Sequence, residues 1–163
     1  MKNLNLIEFK NAYKELKELS GNKGFYIPLV KNIKLVDTQL EAFDLVKAPT
    51  KEFEKFLVEK DKLLIKYSNK EEDGDPKRTI EESDGYKYFK YDIPEENKPL
   101  LEKDGNALLE EYKDTLDEMK RREKAYIELM DEECTVEFHK IKEADLPNEM
   151  SPELFEIIEE FVE

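Results

Sequence analysis

From Leu4 to Leu19 the apolar positions Leu6, Phe9, Tyr13, Leu16 and Leu19 recur three or four residues apart, the spacing of one helical face, and Gly21 and Gly24 end the run. Pro28 suits a first helical position, and Leu29, Ile33, Val36, Leu40 and Phe43 then repeat as a narrow seam of coiled-coil type. Pro49 interrupts it. Thr50 is a capping residue ahead of Phe53, Phe56, Leu57, Leu63, Leu64 and Tyr67, so residues 29–68 predict two helices or one kinked helix.

Between Ser68 and Asp84 the residues Asn69, Gly74 and Pro76 lie among carboxylates, which is turn chemistry. Tyr86 to Ile93 is dense in aromatic residues and ends at Pro94. Asp84-Gly85 before it could turn a hairpin whose first strand holds Thr79 and Ile80. A long helix is predicted from about 106 to 130, with Leu108, Leu109, Tyr112, Leu116, Met119, Tyr126, Ile127 and Met130 on its apolar side. Cys134, Val136 and Phe138 alternate with polar residues, a strand candidate at about 134–141. Ser151-Pro152 is a cap followed by a first-turn proline, opening a last helix at about 151–162. The expected fold class is α+β: one predominantly helical domain over 1–163, with long helices and a small antiparallel sheet from segments near 78–93 and 134–141. Its parts are a helical 1–68, an acidic loop and small strand at 69–94, the long helix, the second strand and the C-terminal helix.

Composition supports folding. Charged residues make up 42 % of the 163, but Leu, Ile, Val and Phe number 44, above the roughly 20 % below which such a chain stays disordered. One cysteine and one histidine exclude a disulfide framework, a zinc finger and a His-pair metalloenzyme. The longest stretch without charge, Gly24 to Val30, is far too short to span a membrane, and residues 1–7 form no secretory leader, so a cytoplasmic protein is expected.

The net charge of −14 is unevenly spread along the chain. Residues 1–70 carry 14 lysines and 10 acids, net +4; residues 71–163 carry 13 basic residues and 31 acids, net −18. Residues 143–163 hold eight acids and no Lys or Arg, several of them near the end of the last helix. There the negative end of the helix dipole disfavours them by about 0.3–1 kcal/mol each. Within the long helix Glu110, Asp114 and Asp117 stack like charges, while Asp117–Arg121 and Glu118–Arg122 are favourable i,i+4 spacings. Such clusters read either as a solvated face or as a surface for a basic partner. Direct nucleic-acid binding is disfavoured, since phosphate would meet repulsion. Imitation of nucleic acid would need two or three acidic elements side by side, because one helix carries too sparse a charge.

Several chemistries are tested and set aside. Glu71 to Pro76 lacks the sixth-position glycine and twelfth-position glutamate of a calcium loop, and carboxylates are too numerous to single out an acid and a base. A Cys134–His139 dyad would point to opposite faces of a strand. No phosphate loop and no nucleophile elbow is present, so no cofactor, metal or catalytic residue is assigned. In the aromatic run, Phe89, Tyr91 and Ile93 would face the core and Tyr86 and Tyr88 outward, which suits either a covered strand or an interface.

The order Lys62-Leu63-Leu64-Ile65-Lys66-Tyr67, then Asn69 to Pro76, then Gly85-Tyr86, and later Glu133-Cys134-Thr135-Val136-Glu137 with Asp145-Leu146-Pro147, resembles a family of small uncharacterised proteins encoded by bacteriophages and prophages of low-GC Gram-positive bacteria. The resemblance covers roughly residues 30–160. It implies a phage origin and no catalytic residue. The expectation is a non-enzymatic protein that binds a basic surface on another protein, with inhibition of a host or defence nucleic-acid enzyme as the natural use. Contacts would be Glu153, Glu156, Glu159 and Glu160, then Glu110, Asp114 and Asp117, with Tyr86 and Tyr88. The alternative is a phage assembly factor that forms homo-oligomers through the seams at 29–43 and 53–67.

Overall fold

The computed structural model describes residues 1–83 and 86–163, and is mostly helical with one small antiparallel sheet. The helices are α1 (Asn3–Leu16), α2 (Lys23–Lys47), α3 (Lys51–Tyr67), α4 (Lys98–Glu111), α5 (Lys113–Asp131) and α6 (Pro152–Ile158), and the strands are β1 (Arg78–Ser83) and β2 (Tyr86–Tyr91). Asn22, Thr50 and Ser151 each accept a backbone N–H three residues on, capping α2, α3 and α6. Contacts divide the chain into two compact units, Met1–Ala48 with Arg121–Glu163, and Pro49–Lys120; α5 begins in the second and ends in the first.

The first unit holds the large core. The seam Leu29, Ile33, Val36, Leu40 and Phe43 is buried there with Leu6 and Phe9 of α1 and Ile158 of α6. Phe161 meets Phe9 edge-on at 4.9 Å and Phe138 at 4.5 Å, which ties the C-terminal turn to α1. Pro28 lies inside α2 rather than at its start. It denies an N–H to the carbonyl four residues back, that of Gly24. At Gly24 a side chain is excluded for another reason: a Cβ would overlap the carboxylate of Asp145, whose Oδ1 accepts from Asn22 Nδ2 at 2.8 Å.

In the second unit α3 and α4 pack through Phe56, which lies between Phe53 and Tyr112 at ring separations of 5.9 and 5.5 Å. The β1–β2 hairpin pairs Arg78 with Tyr91 and Ser83 with Tyr86. It joins α3 through Tyr91, whose hydroxyl donates to Asp61 at 2.6 Å. The turn expected at Asp84-Gly85 lies outside the described residues. Glu71 to Asp75 closes on itself, with Glu71 N–H donating to the Asp75 carbonyl at 2.8 Å and Gly74 at φ 90°, a left-handed conformation that glycine adopts without strain.

Three expectations are corrected. The single long helix is two, parted at Tyr112 (φ −100°, ψ 16°), and its first part starts at Lys98 rather than 106. Of its supposed apolar stripe only Met130 is buried, while Leu109 and Ile127 are exposed. Residues 134–140 form no strand; their burial alternates as expected, yet no ladder partner pairs with them, and among the described residues the sheet is the hairpin alone. Phe89 is not a core residue. It is 49 % exposed with the Arg78 guanidinium 3.9 Å over its ring, because a two-stranded ribbon has no second layer to cover it.

Candidate functional site

The acidic groove of the first unit is built by α1 and α6. Ser151 caps α6 and Pro152 fixes its first turn, so Leu154 and Ile158 turn inward and Glu153 and Glu156 outward. On α1, Leu6 and Phe9 face the core, which leaves Asn5 and Glu8 beside α6. The two helices enclose a groove of about 440 Å³ lined by Met1, Asn5, Glu8, Glu153, Glu156, Ile157 and Glu160, with no Lys or Arg in its walls.

The carboxylates are differently held. Glu160 Oε2 accepts from the Met1 ammonium at 2.7 Å, and this bond raises the amine's pKa. Glu8 Oε2 accepts from Asn5 Nδ2 at 2.9 Å. Glu153 is held below the usual carboxylate range by its own backbone N–H and then by Ser151. The strain expected from acids at the end of α6 is relieved by two cations: the ammonium on Glu160, and Lys140 Nζ, which donates to the Glu160 carbonyl at 2.6 Å.

The structure therefore gathers Glu153, Glu156 and Glu160 around one groove, and leaves Glu159 exposed but outside it. Sequence reasoning missed Glu8 and Asn5. Their only signal was a polar face on the first helix, which any surface helix has. Glu110, Asp114 and Asp117 lie in the second unit, all exposed, and do not form an unbroken acidic patch: Glu110 stands 3.7 Å from Lys113 and Asp117 3.6 Å from Lys120. Tyr86 and Tyr88 share one face of the hairpin, 78 % and 47 % exposed, and the Tyr88 hydroxyl donates to Glu81 at 3.2 Å.

Folding also redistributes the charge. The first unit has 13 basic and 20 acidic side chains and the second 14 and 21, so each carries a net −7. The contrast between +4 and −18 along the chain vanishes because the lysine-rich start folds against the acidic end. What survives is local, and in the α1–α6 groove Glu8, Glu153, Glu156 and Glu160 meet with no Lys or Arg side chain in the lining.

Among the described residues no cluster of His, Cys, Asp and Glu has the arrangement of a metal site, and no helix is long and apolar enough to cross a membrane. No family model matches the chain, and neither a curated protein nor a solved structure matches it.

Proposed function

We propose that this is a phage-encoded interaction protein that binds a basic surface of another protein through the α1–α6 groove. One observation carries the reading: four carboxylates, Glu8, Glu153, Glu156 and Glu160, line a single groove whose walls contain no Lys or Arg. With four carboxylates against the single Met1 ammonium, the groove keeps a negative excess that draws an incoming positive charge, and a basic surface complementary to it is steered in and held in register. Proteins that handle nucleic acid carry such surfaces, which makes inhibition of a host or defence nucleic-acid enzyme the use this groove suits. Assembly through the helical seams has less to support it. The 29–43 seam is spent inside the first unit, and of the apolar residues at 53–67 Leu57 and Val58 are exposed while Phe56 is buried and the rest are half-buried.

The test is capture of host proteins at low and high ionic strength by the wild-type chain and by Glu8→Gln/Glu153→Gln/Glu156→Gln. Partners held by the wild type at low salt are expected to be lost at high salt and lost from the triple variant at either. A partner retained equally by both proteins at both salts overturns the reading.

A further inference from the structure

The β1–β2 ribbon is the least enclosed element of the second unit. Five of the six residues in each strand are exposed, and a two-stranded ribbon so little covered gains stability from further strands. Its hydrogen bonding has a definite parity. Asp92 N–H donates to the Lys77 carbonyl at 2.9 Å, so the pair at the foot of the ribbon is a bonded one, and by alternation Thr79–Lys90, Glu81–Tyr88 and Ser83–Tyr86 are bonded too. Arg78, Ile80 and Glu82 therefore turn their N–H and carbonyl groups to the outer edge of β1, where among the described residues no strand pairs and no other backbone bond arrives. The side chains of the same three residues share one face with Lys87, Phe89 and Tyr91. On that face Ile80 lies opposite Phe89, the two 66 % and 49 % exposed.

We propose that this edge pairs with the same edge of a second copy, giving a four-stranded antiparallel sheet about a twofold axis at Ile80. Charge selects both the occupant and the register. In a chain of net −14 the two strands carry three cations and two acids, so the ribbon is a place where two copies meet without like-signed repulsion. With Ile80 opposite its own symmetry mate, Arg78 of each copy stands opposite Glu82 of the other. One row across the four strands then reads Lys87, Glu82, Arg78, Tyr91, with signs alternating over its first three members, and the central row is Phe89, Ile80, Ile80, Phe89. Registers shifted by two residues lose this: one sets Glu81 opposite Glu81, and the other leaves Arg78 opposite Ile80. In the single chain the Arg78 guanidinium lies over the Phe89 ring, an exposed contact weak enough to be exchanged for a carboxylate. Residues 78–82 alone make a small interface, so the dimer is weak and depends on concentration.

The experiment is sedimentation equilibrium of the full chain at about 150 mM salt, where exposed charges beyond ~8 Å are screened, over protein concentrations from about 10 μM to 1 mM. The mass is expected to rise from one chain toward two. Ile80→Pro keeps the hairpin's own ladder, because the N–H it removes points outward, and should abolish the rise. Glu82→Lys and Arg78→Glu each set like charges opposite one another and should each dimerise about tenfold more weakly. An equimolar mixture of those two restores both pairs and should dimerise about as well as the wild type, which also shows that each variant keeps its hairpin. A wild type that stays monomeric at the top concentration, a dimer that Ile80→Pro leaves intact, or a mixture no better than its components overturns the proposal. The Glu8→Gln/Glu153→Gln/Glu156→Gln variant should dimerise unchanged, so ribbon and groove are tested apart.

Discussion

Asn32 is an amide with no solvent exposure whose two polar atoms are both used on the backbone of His139, 107 residues away. Asn32→Ala removes both bonds. Each has a net worth of about 0.5–1.5 kcal/mol, and His139 is itself exposed, so water can take over the freed backbone groups and the larger penalty for buried orphans does not apply. The expected loss is about 1–3 kcal/mol. With a urea dependence of about 2 kcal/mol per molar, that moves the first unit's midpoint by roughly 0.5–1.5 M. Urea unfolding followed by exchange at Ile33 and Val36 reads this unit alone, which matters because two compact units need not unfold together. Asn32→Asp separates a bonded clasp from simple packing. Its oxygen can still accept from His139 N–H, but the second oxygen faces the His139 carbonyl where a donor stood. Burial and that carbonyl push the new carboxyl's folded pKa up, so the deficit is small in acid, where the protonated group donates, and grows as pH rises through the ordinary carboxylate range. An Asn32→Ala midpoint within error of wild type, or an Asn32→Asp variant no worse than alanine at neutral pH, would falsify the clasp.

Other outcomes follow from local geometry. Gly24→Ala should destabilise by about 1–3 kcal/mol because its Cβ overlaps the Asp145 carboxylate, whereas Gly105→Ala, in the open interior of α4, should stabilise by about 0.5–1 kcal/mol; thermal melts that fail to split in sign refute the pairing. Asp104 accepts from the Tyr67 hydroxyl at 2.6 Å and from Lys66 at 3.0 Å, which lower its pKa in that order. Its stabilising contribution is therefore present above the ordinary carboxylate range and lost as pH falls through the lowered value; carbon-detected titration should show the midpoint rising in Tyr67→Phe. Tyr91 is raised by its bond to Asp61 and then by burial. It resists ionisation past the usual tyrosine range, and ultraviolet titration of Asp61→Asn should find it easier to ionise.

Elements with strong local signals are legible in the sequence. The spacing of Leu29, Ile33, Val36, Leu40 and Phe43 requires a buried helical face, and Thr50 and Ser151 announce helix starts through their own side-chain oxygens. Less is visible where the deciding partner is remote. The alternation of Cys134, Val136 and Phe138 predicts an extended chain, but a strand becomes part of a sheet only if a second strand arrives. Here an asparagine side chain from α2 takes that place at His139. Tyr112 continues a helical pattern in sequence, and its backbone leaves the helical dihedrals at the point where its ring packs on Phe56, although its N–H and carbonyl still bond Leu108 and Leu116. Likewise three of the groove's four glutamates stand out in the sequence, all in its last twenty residues or so, while Glu8 belongs to another helix.

Local patterning and composition were enough to establish that the chain folds as mostly helix, that its cysteine and histidine chemistry is too sparse for familiar metal or disulfide frameworks, and that it carries a surplus of fourteen negative charges. Where that surplus acts was decided by packing. Burial of apolar faces is short-ranged and periodic, so it is written in neighbouring residues; an electric field sums over whatever packing brings near. Residues 1–48 pack with residues 121–163, which turns a lopsided chain into two units of equal charge and brings Glu8 beside Glu153, Glu156 and Glu160 around one groove.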